Sequence, residues 1–206
     1  MDPITVHTGT AAPLRRDCVD TDQILPAEFC KRLTKTGYQD ALFAGWRADP
    51  AFVLNQPAYA GASILLAGRD FGIGSSREHA VWALRDGGFR VVVAGGFGDI
   101  FRRNAANNGL LLIDQPRAVV AELLDLVERE PGTAVTGDLE ARELRFADRV
   151  EPFSIDEKSR GRLLAGLDGT EATLLKRDRI AAFEASRPYW LPIVRPAGAE
   201  SGASRP

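Results

Sequence analysis

Apolar and polar positions change their period several times along the 206-residue chain. At the amino end, residues 3–8 (PITVHT) alternate weakly, as a short strand would. Residues 18–26 (CVDTDQILP) read as a turn, a short apolar segment and a proline stop. Residues 27–45 mix basic residues, Gly37 and aromatics without a period, which predicts a loop with one helical turn. Asp49-Pro50 marks a further turn. The centre is more regular. ASILLAG (62–68) is a continuous apolar run closed by glycine, the pattern of a strand buried on both faces. Ser75 to Asp86 reads as a helix and stops at Gly87-Gly88. RVVVAGG (90–96) is a second buried strand, Asp99 to Asn108 a helix stopped by Gly109, and LLLI (110–113) a third strand. Pro116 opens a helix that runs to Glu130 and carries Val119, Val120, Leu123, Leu124 and Val127 on one face. Strands alternating with helices predict an α/β fold with a parallel sheet and right-handed crossovers.

After Pro131-Gly132 the pattern changes. Residues 133–155 read as short β segments with turns at Gly137-Asp138 and Ala147-Asp148, and residues 157–166 and 176–187 as two helices. Residues 195–206 (RPAGAESGASRP) offer little apolar area to bury and are expected to be a disordered tail. No internal repeat or linker divides what precedes it.

Composition narrows the function classes. A net charge of −2 gives no global basic field for nucleic acid. No apolar run reaches the length of about 18 residues that a membrane helix needs. MDPITVHTGT lacks the basic and apolar regions of a signal peptide, so the cytoplasm is expected. Cys18, Cys30, His7 and His79 are the only Cys and His residues, with no CxxC or HExxH spacing, so no metal site is expected on this chain.

The candidate chemistry lies in GRDFGIGSSREHA (68–80), a glycine turn between a predicted strand and helix. Such places attract anions, because free N–H groups and the positive helix end meet there. The dinucleotide fingerprint fails, since Arg77 stands where its third glycine belongs, and no lysine precedes Ser75 as a phosphate loop requires. Two readings of Ser75 stand side by side. Ser75 to Glu78 has the S-x-x-E spacing of a capping box. Yet two serines and an arginine together exceed what a cap needs. Gly72 and Gly74 would let a ligand approach the backbone, and Arg77 supplies a bidentate carboxylate clamp. The ingredients suit a small dicarboxylate.

GRDFGIGSSREHAVWAL resembles the GSSREHA signature of the aconitase-superfamily swivel domain, and in particular the small subunits of the 3-isopropylmalate dehydratases. VDTDQILPAEFCKR (19–32), FVLNQPAYAGASILLAG (52–68), FRVVVAGGFGDIF (89–101), NNGLLLI (107–113) and GLDGTEATL (166–174) are similar to that family as well. The resemblance implies a three-layer β/β/α swivelling domain over residues 1–194 with a mainly parallel central sheet. It implies a hydro-lyase of leucine biosynthesis that interconverts 2- and 3-isopropylmalate and acts only with a large subunit, as a heterodimer or higher heteromer. A [4Fe–4S] cluster is expected on that partner and no cofactor on this chain. Site residues follow by motif. Ser75 is the expected base, and Ser76, Arg77, Gly74 and Thr21 are expected to bind substrate. Asp22 is a candidate proton-handling residue, with an ordinary turn carboxylate as its other reading. Residues 27–43 match a loop that sorts substrates, where Leu33, Tyr38 and Leu42 would suit an isopropyl group. Asp70, Ile73 and Val81 replace the family's asparagine, cysteine and proline, and Gly96 its serine. They keep a second reading open, a related hydro-lyase acting on citraconate, dimethylmalate or homoaconitate. A third reading is a non-catalytic swivel module.

Overall fold

The computed structural model describes residues 1–188 and 190–192. The chain forms two compact units, Met1–Gly169 and Thr170–Pro206. The expected boundary at 194 and the tail beyond it lie outside the described residues.

The first unit is built on seven strands: β1 (Val6–Leu14), β2 (Ile64–Ala67), β3 (Val91–Ala94), β4 (Leu111–Asp114), β5 (Ala134–Asp138), β6 (Glu143–Phe146) and β7 (Arg149–Pro152). Their order is β4-β3-β2-β1-β5-β6-β7. The β4-β3-β2-β1 half is parallel, as the strand–helix alternation predicts, and the other half is an antiparallel meander. β1 is the hinge between them. Its first residues, Val6 to Thr10, pair with β5, and its last, Ala11 to Leu14, pair with β2. The weak alternation of residues 3–8 catches only the start of this strand. Gly9 and Pro13 hide the rest. Pro13 is tolerated because this part of β1 has a ladder on one side only, so its missing N–H leaves no neighbour unpaired.

Between the strands lie helices α1 (Thr21–Ile24), α2 (Ala44–Arg47), α3 (Glu78–Asp86), α4 (Asp99–Asn107) and α5 (Arg117–Arg129), with short 3-10 turns in the 27–59 connection, and α6 (Glu157–Ala165) follows β7. The all-apolar central strands are explained by burial on both faces. Leu65, Ala67, Val92, Ala94 and Leu112 face a core shared with Ala80, Leu84 and Phe101 of α3 and α4. Ile64, Leu66, Val91, Val93, Leu111 and Ile113 face a second core, shared with α5 and with Val135, Leu144 and Phe146 of the meander. Helices, parallel strands and meander thus make three layers. The α5 face is the predicted one, with Val119, Val120, Leu123, Leu124 and Val127 buried. The second unit holds most of α7 (Gly169–Leu174) and all of α8 (Arg177–Ser186).

Candidate active site

Three connections meet where the parallel strands end, the position at which α/β sheets bind ligands. One follows β1, one joins β2 to α3, and one joins β3 to α4. Backbone hydrogen bonds lace them together. The middle connection donates from Gly68 and Gly72 to Arg16 and Val19 of the first, at 2.9 and 2.7 Å. Cys18 and Thr21 donate back to Arg69 and Ile73, at 2.8 and 3.0 Å. On the other side Phe71 N–H donates to Gly96 and Gly98 N–H to Phe71, each at 3.0 Å.

α1 is short, and its start is fixed by a capping box that the sequence reading missed. Gln23 N–H donates to Asp20 Oδ1 at 2.8 Å, and Asp20 N–H to Gln23 Oε1 at 2.9 Å. The D-x-x-Q spacing at 20–23 was its signal. The box places Thr21 in the interior, where its hydroxyl donates to the Ser75 carbonyl at 2.9 Å. Asp22 faces outward and pairs with the Arg77 guanidinium, whose side chain is largely covered. Gly74, Ser75 and Ser76 are exposed between them. The fold therefore gathers all six expected site residues at one mouth: Ser75, Asp22, Ser76, Arg77, Gly74 and Thr21.

Their parts differ from expectation in several ways. The helix begins at Glu78, not Ser75, and its N-cap, Arg77, makes no side-chain cap hydrogen bond. There is no capping box between Ser75 and Glu78. The Glu78 carboxylate instead accepts from Asn108 Nδ2 at 2.6 Å, tying the start of α3 to the end of α4. Thr21 is too buried to touch a ligand in this arrangement, so its hydroxyl fixes the Ser75 backbone instead. Gly72 and Gly74 each have a reason within the fold to be glycine. Gly72 has φ +71°, and a Cβ there would lie 2.3 Å from the Phe101 ring; Gly74 has φ +86° and backs onto Asp20. Both need the left-handed conformation that glycine adopts freely.

Other candidates also find their places. His79 lies among aromatics, 4.7 Å from the Trp82 ring and 5.8 Å from that of Tyr38. Asp70 pairs with neither Arg69 nor Arg77, which are engaged by Asp17 and Asp22. Its carboxylate accepts from the Cys18 thiol at 4.0 Å. The Arg69 N–H and guanidinium hold the Asp17 carboxyl below its ordinary range. In the 27–43 segment, Tyr38 and Leu42 are wholly buried, and burial pushes the Tyr38 hydroxyl up. They are core residues and not substrate lining. Arg32 is not free either, because it forms a fork-to-fork pair with Asp40 at 2.6 and 2.7 Å. Leu33, by contrast, is fully exposed.

Among the described residues, no group of three or more His, Cys, Asp or Glu side chains is placed to hold a metal ion. Nor is any helix among them long and apolar enough to cross a membrane.

Comparison with known proteins gives this mouth a family. The aconitase C-terminal domain profile matches residues 1–118. The 3-isopropylmalate dehydratase small subunit of Acidothermus cellulolyticus is 58% identical over 195 residues, 95% of this chain and 99% of the relative. That of Thermobifida fusca is 52% identical over 195 residues, covering 95% of this chain and all (100%) of the relative. Among solved structures, a 3-isopropylmalate dehydratase from Methanocaldococcus jannaschii superposes with a TM-score of 0.65 at 27% identity, covering 87% of this chain and 99% of that one. The strand ends, the serine–arginine turn and these likenesses lead to one assignment: the chain belongs to the aconitase C-terminal domain family, within the 3-isopropylmalate dehydratase small subunits.

Proposed function

We propose that the chain is the small subunit of a cytoplasmic, heteromeric 3-isopropylmalate dehydratase, interconverting 2- and 3-isopropylmalate by loss and return of water. In this reading it contributes Ser75, Ser76, Arg77 and Asp22 to a site completed by a large subunit. The observation that carries the reading is the junction of Thr21 with Ser75. It anchors an exposed serine pair beside a guanidinium that a carboxylate already holds at the mouth.

The chain's own chemistry follows from that arrangement. A guanidinium has five N–H donors, so Arg77 can keep Asp22 and still offer a second edge to a substrate carboxylate. Ser76 stands beside it as a hydroxyl donor. Ser75 is the group assigned to the carbon-bound proton. A free hydroxyl barely ionises near neutral pH, so an alkoxide needs positive potential around it. Arg77 supplies that charge, and the uncapped N–H groups at the start of α3 add theirs. Asp22 acts as a positioning residue through Arg77. Thr21 positions Ser75 through its carbonyl. Leu33 is the apolar side chain of the 27–43 segment left free to meet an isopropyl group.

A [4Fe–4S] cluster does not fit this chain. Such clusters take several Cys thiolates, and only Cys18 and Cys30 are present. The relatives are small subunits by name, and we assign the cluster, with the chemistry of hydroxyl departure, to the large subunit.

The test is an anaerobic isopropylmalate dehydration assay on this chain alone, on the chain with a reconstituted large subunit, and on the same mixture carrying Ser75→Ala. Turnover is expected only in the wild-type mixture. A stable complex without isopropylmalate turnover, but active on citraconate or dimethylmalate, replaces the substrate assignment. Full activity with Ser75→Ala removes Ser75 from the chemistry.

A further inference from the structure

Two side chains on one face of α3 meet a single residue at the end of α4. Glu78 and Trp82 are one helical turn apart, so they lie together on that face. Both reach Asn108, the C-cap of α4. The Trp82 indole N–H can only donate, so the oxygen of the Asn108 amide faces it, at 2.9 Å. The amide nitrogen is thereby turned to the Glu78 carboxylate, at 2.6 Å, and gives its other hydrogen to the Asn104 carbonyl, at 2.8 Å. The backbone of Asn108 is held as well. Its N–H donates to the Asn104 and Ala105 carbonyls, and its carbonyl accepts from Arg85 Nη1 at 2.6 Å. The Asn108 amide thus has one orientation, set by the fold around it.

The local sequence shows what this contact prevents. Ser75 to Glu78 keeps the spacing of a capping box, and the start of α3 has no side-chain cap. Two N–H groups would gain partners if Ser75 Oγ turned to the Glu78 N–H and the Glu78 carboxylate folded back to the Ser75 N–H. A hydroxyl so engaged is no longer open to a substrate. The box needs the Glu78 side chain to fold back along the chain, whereas Asn108 draws it across to α4. A released carboxylate next to Arg77 would also compete with a substrate carboxylate and oppose the positive potential that an alkoxide needs.

We propose that Asn108 is a positioning residue: by holding Glu78 it denies Ser75 its local capping partner and keeps the hydroxyl open. The consequence for turnover rests on the reading of Ser75 as the base.

Asn108→Asp tests this. It keeps the acceptor for Trp82 and puts a second carboxylate in place of the donor that holds Glu78. The first measurement needs the full chain and no turnover: the change in melting temperature caused by Ser75→Ala. That change should be near zero with Asn108 in place, and a fall of about 2–4 °C in an Asn108→Asp chain, where Ser75 has become a cap. Adding Glu78→Gln, which sets a donor against the new acceptor, should return it to near zero. The second measurement is turnover with the large subunit. Asn108→Asp should lower kcat about tenfold or more with a smaller change in KM, and Glu78→Gln should restore most of it. If Asn108→Asp does not fold, Asn108→Ala serves for the comparison with Ser75→Ala. A general loss of packing would lower the melting temperature without making it depend on Ser75, and Glu78→Gln would not repair it. A Ser75→Ala cost that is the same with and without Asn108 overturns the proposal. A cost that appears only without Asn108, while turnover is unchanged, upholds the hold on Glu78 and removes Ser75 from the chemistry instead.

Discussion

At the residue scale the site depends on a buried hydroxyl. Thr21 donates to the Ser75 carbonyl, which also accepts from Arg77 N–H at 2.8 Å. Thr21→Val keeps the shape and removes the donor. The cost expected is about 1–3 kcal/mol of stability, because the arrangement loses a covered hydrogen bond. A larger fall is expected in kcat than in KM, since Ser75 is displaced while the Arg77 clamp persists. Thr21→Ser should restore most of both. Ser75→Ala behaves in the opposite way. The side chain is exposed and caps nothing, so its melting point should stay near wild type while activity falls by about 10²-fold or more. Had Ser75 been the helix cap that its S-x-x-E spacing suggests, the variant would lose about 1 kcal/mol as well. A chemical denaturation curve distinguishes these outcomes. That the six candidate residues come together was legible in the sequence because they sit in two short motifs. Their division of labour was not, since it depends on which of them the fold buries.

Elements explain why one motif misled and another was overlooked. S-x-x-E at 75–78 has the spacing of a capping box, but the chain stays extended through Arg77 (φ −89°, ψ 109°) and the helix starts one residue later. Glu78 is instead drawn to Asn108, which also accepts from Trp82 Nε1 at 2.9 Å. A contact with a residue 30 positions away outcompetes the local one, and no local pattern announces it. Gly72 follows the same logic. The sequence marks it as a residue for close approach, yet what approaches is Phe101. Gly72→Ala should therefore destabilise by about 2–4 kcal/mol, combining left-handed strain with the clash. With Phe101→Ala in the same chain, the double variant should lose less than the sum of the two singles, because the clash vanishes with the ring. Additive losses would mean that strain alone makes the glycine necessary.

On the scale of the whole molecule, β1 joins two sheets of different kinds. The parallel half was legible from its uninterrupted apolar runs, which only a strand covered on both faces can carry. The antiparallel half was legible only as short segments. Its junction with the rest depends on one strand changing partners at Thr10–Ala11, and no local period records that change. His7 sits close to the junction. On β1 it pairs with Gly137 of β5, while its Nε2 lies 2.8 Å from Ser63 Oγ, just before β2. Burial, with help from nearby Arg90, holds its pKa below the ordinary 6.5. The fold therefore favours neutral His7. The stability this contributes is fully present above pH 6.5 and is lost as pH falls through the lowered value. Between those limits the unfolded chain binds more protons than the folded one, so the melting temperature should fall as the solution is acidified from neutrality. His7→Gln keeps a hydrogen-bonding side chain that does not titrate. Its melting temperature should be flatter over the same window, and should turn downward once pH enters the ordinary carboxylate range, where the unfolded chain takes up protons that carboxylates held low in the fold, Asp17 and Asp138 among them, do not. Parallel melting curves for wild type and variant through that window would show that His7 plays no part in the junction's acid sensitivity.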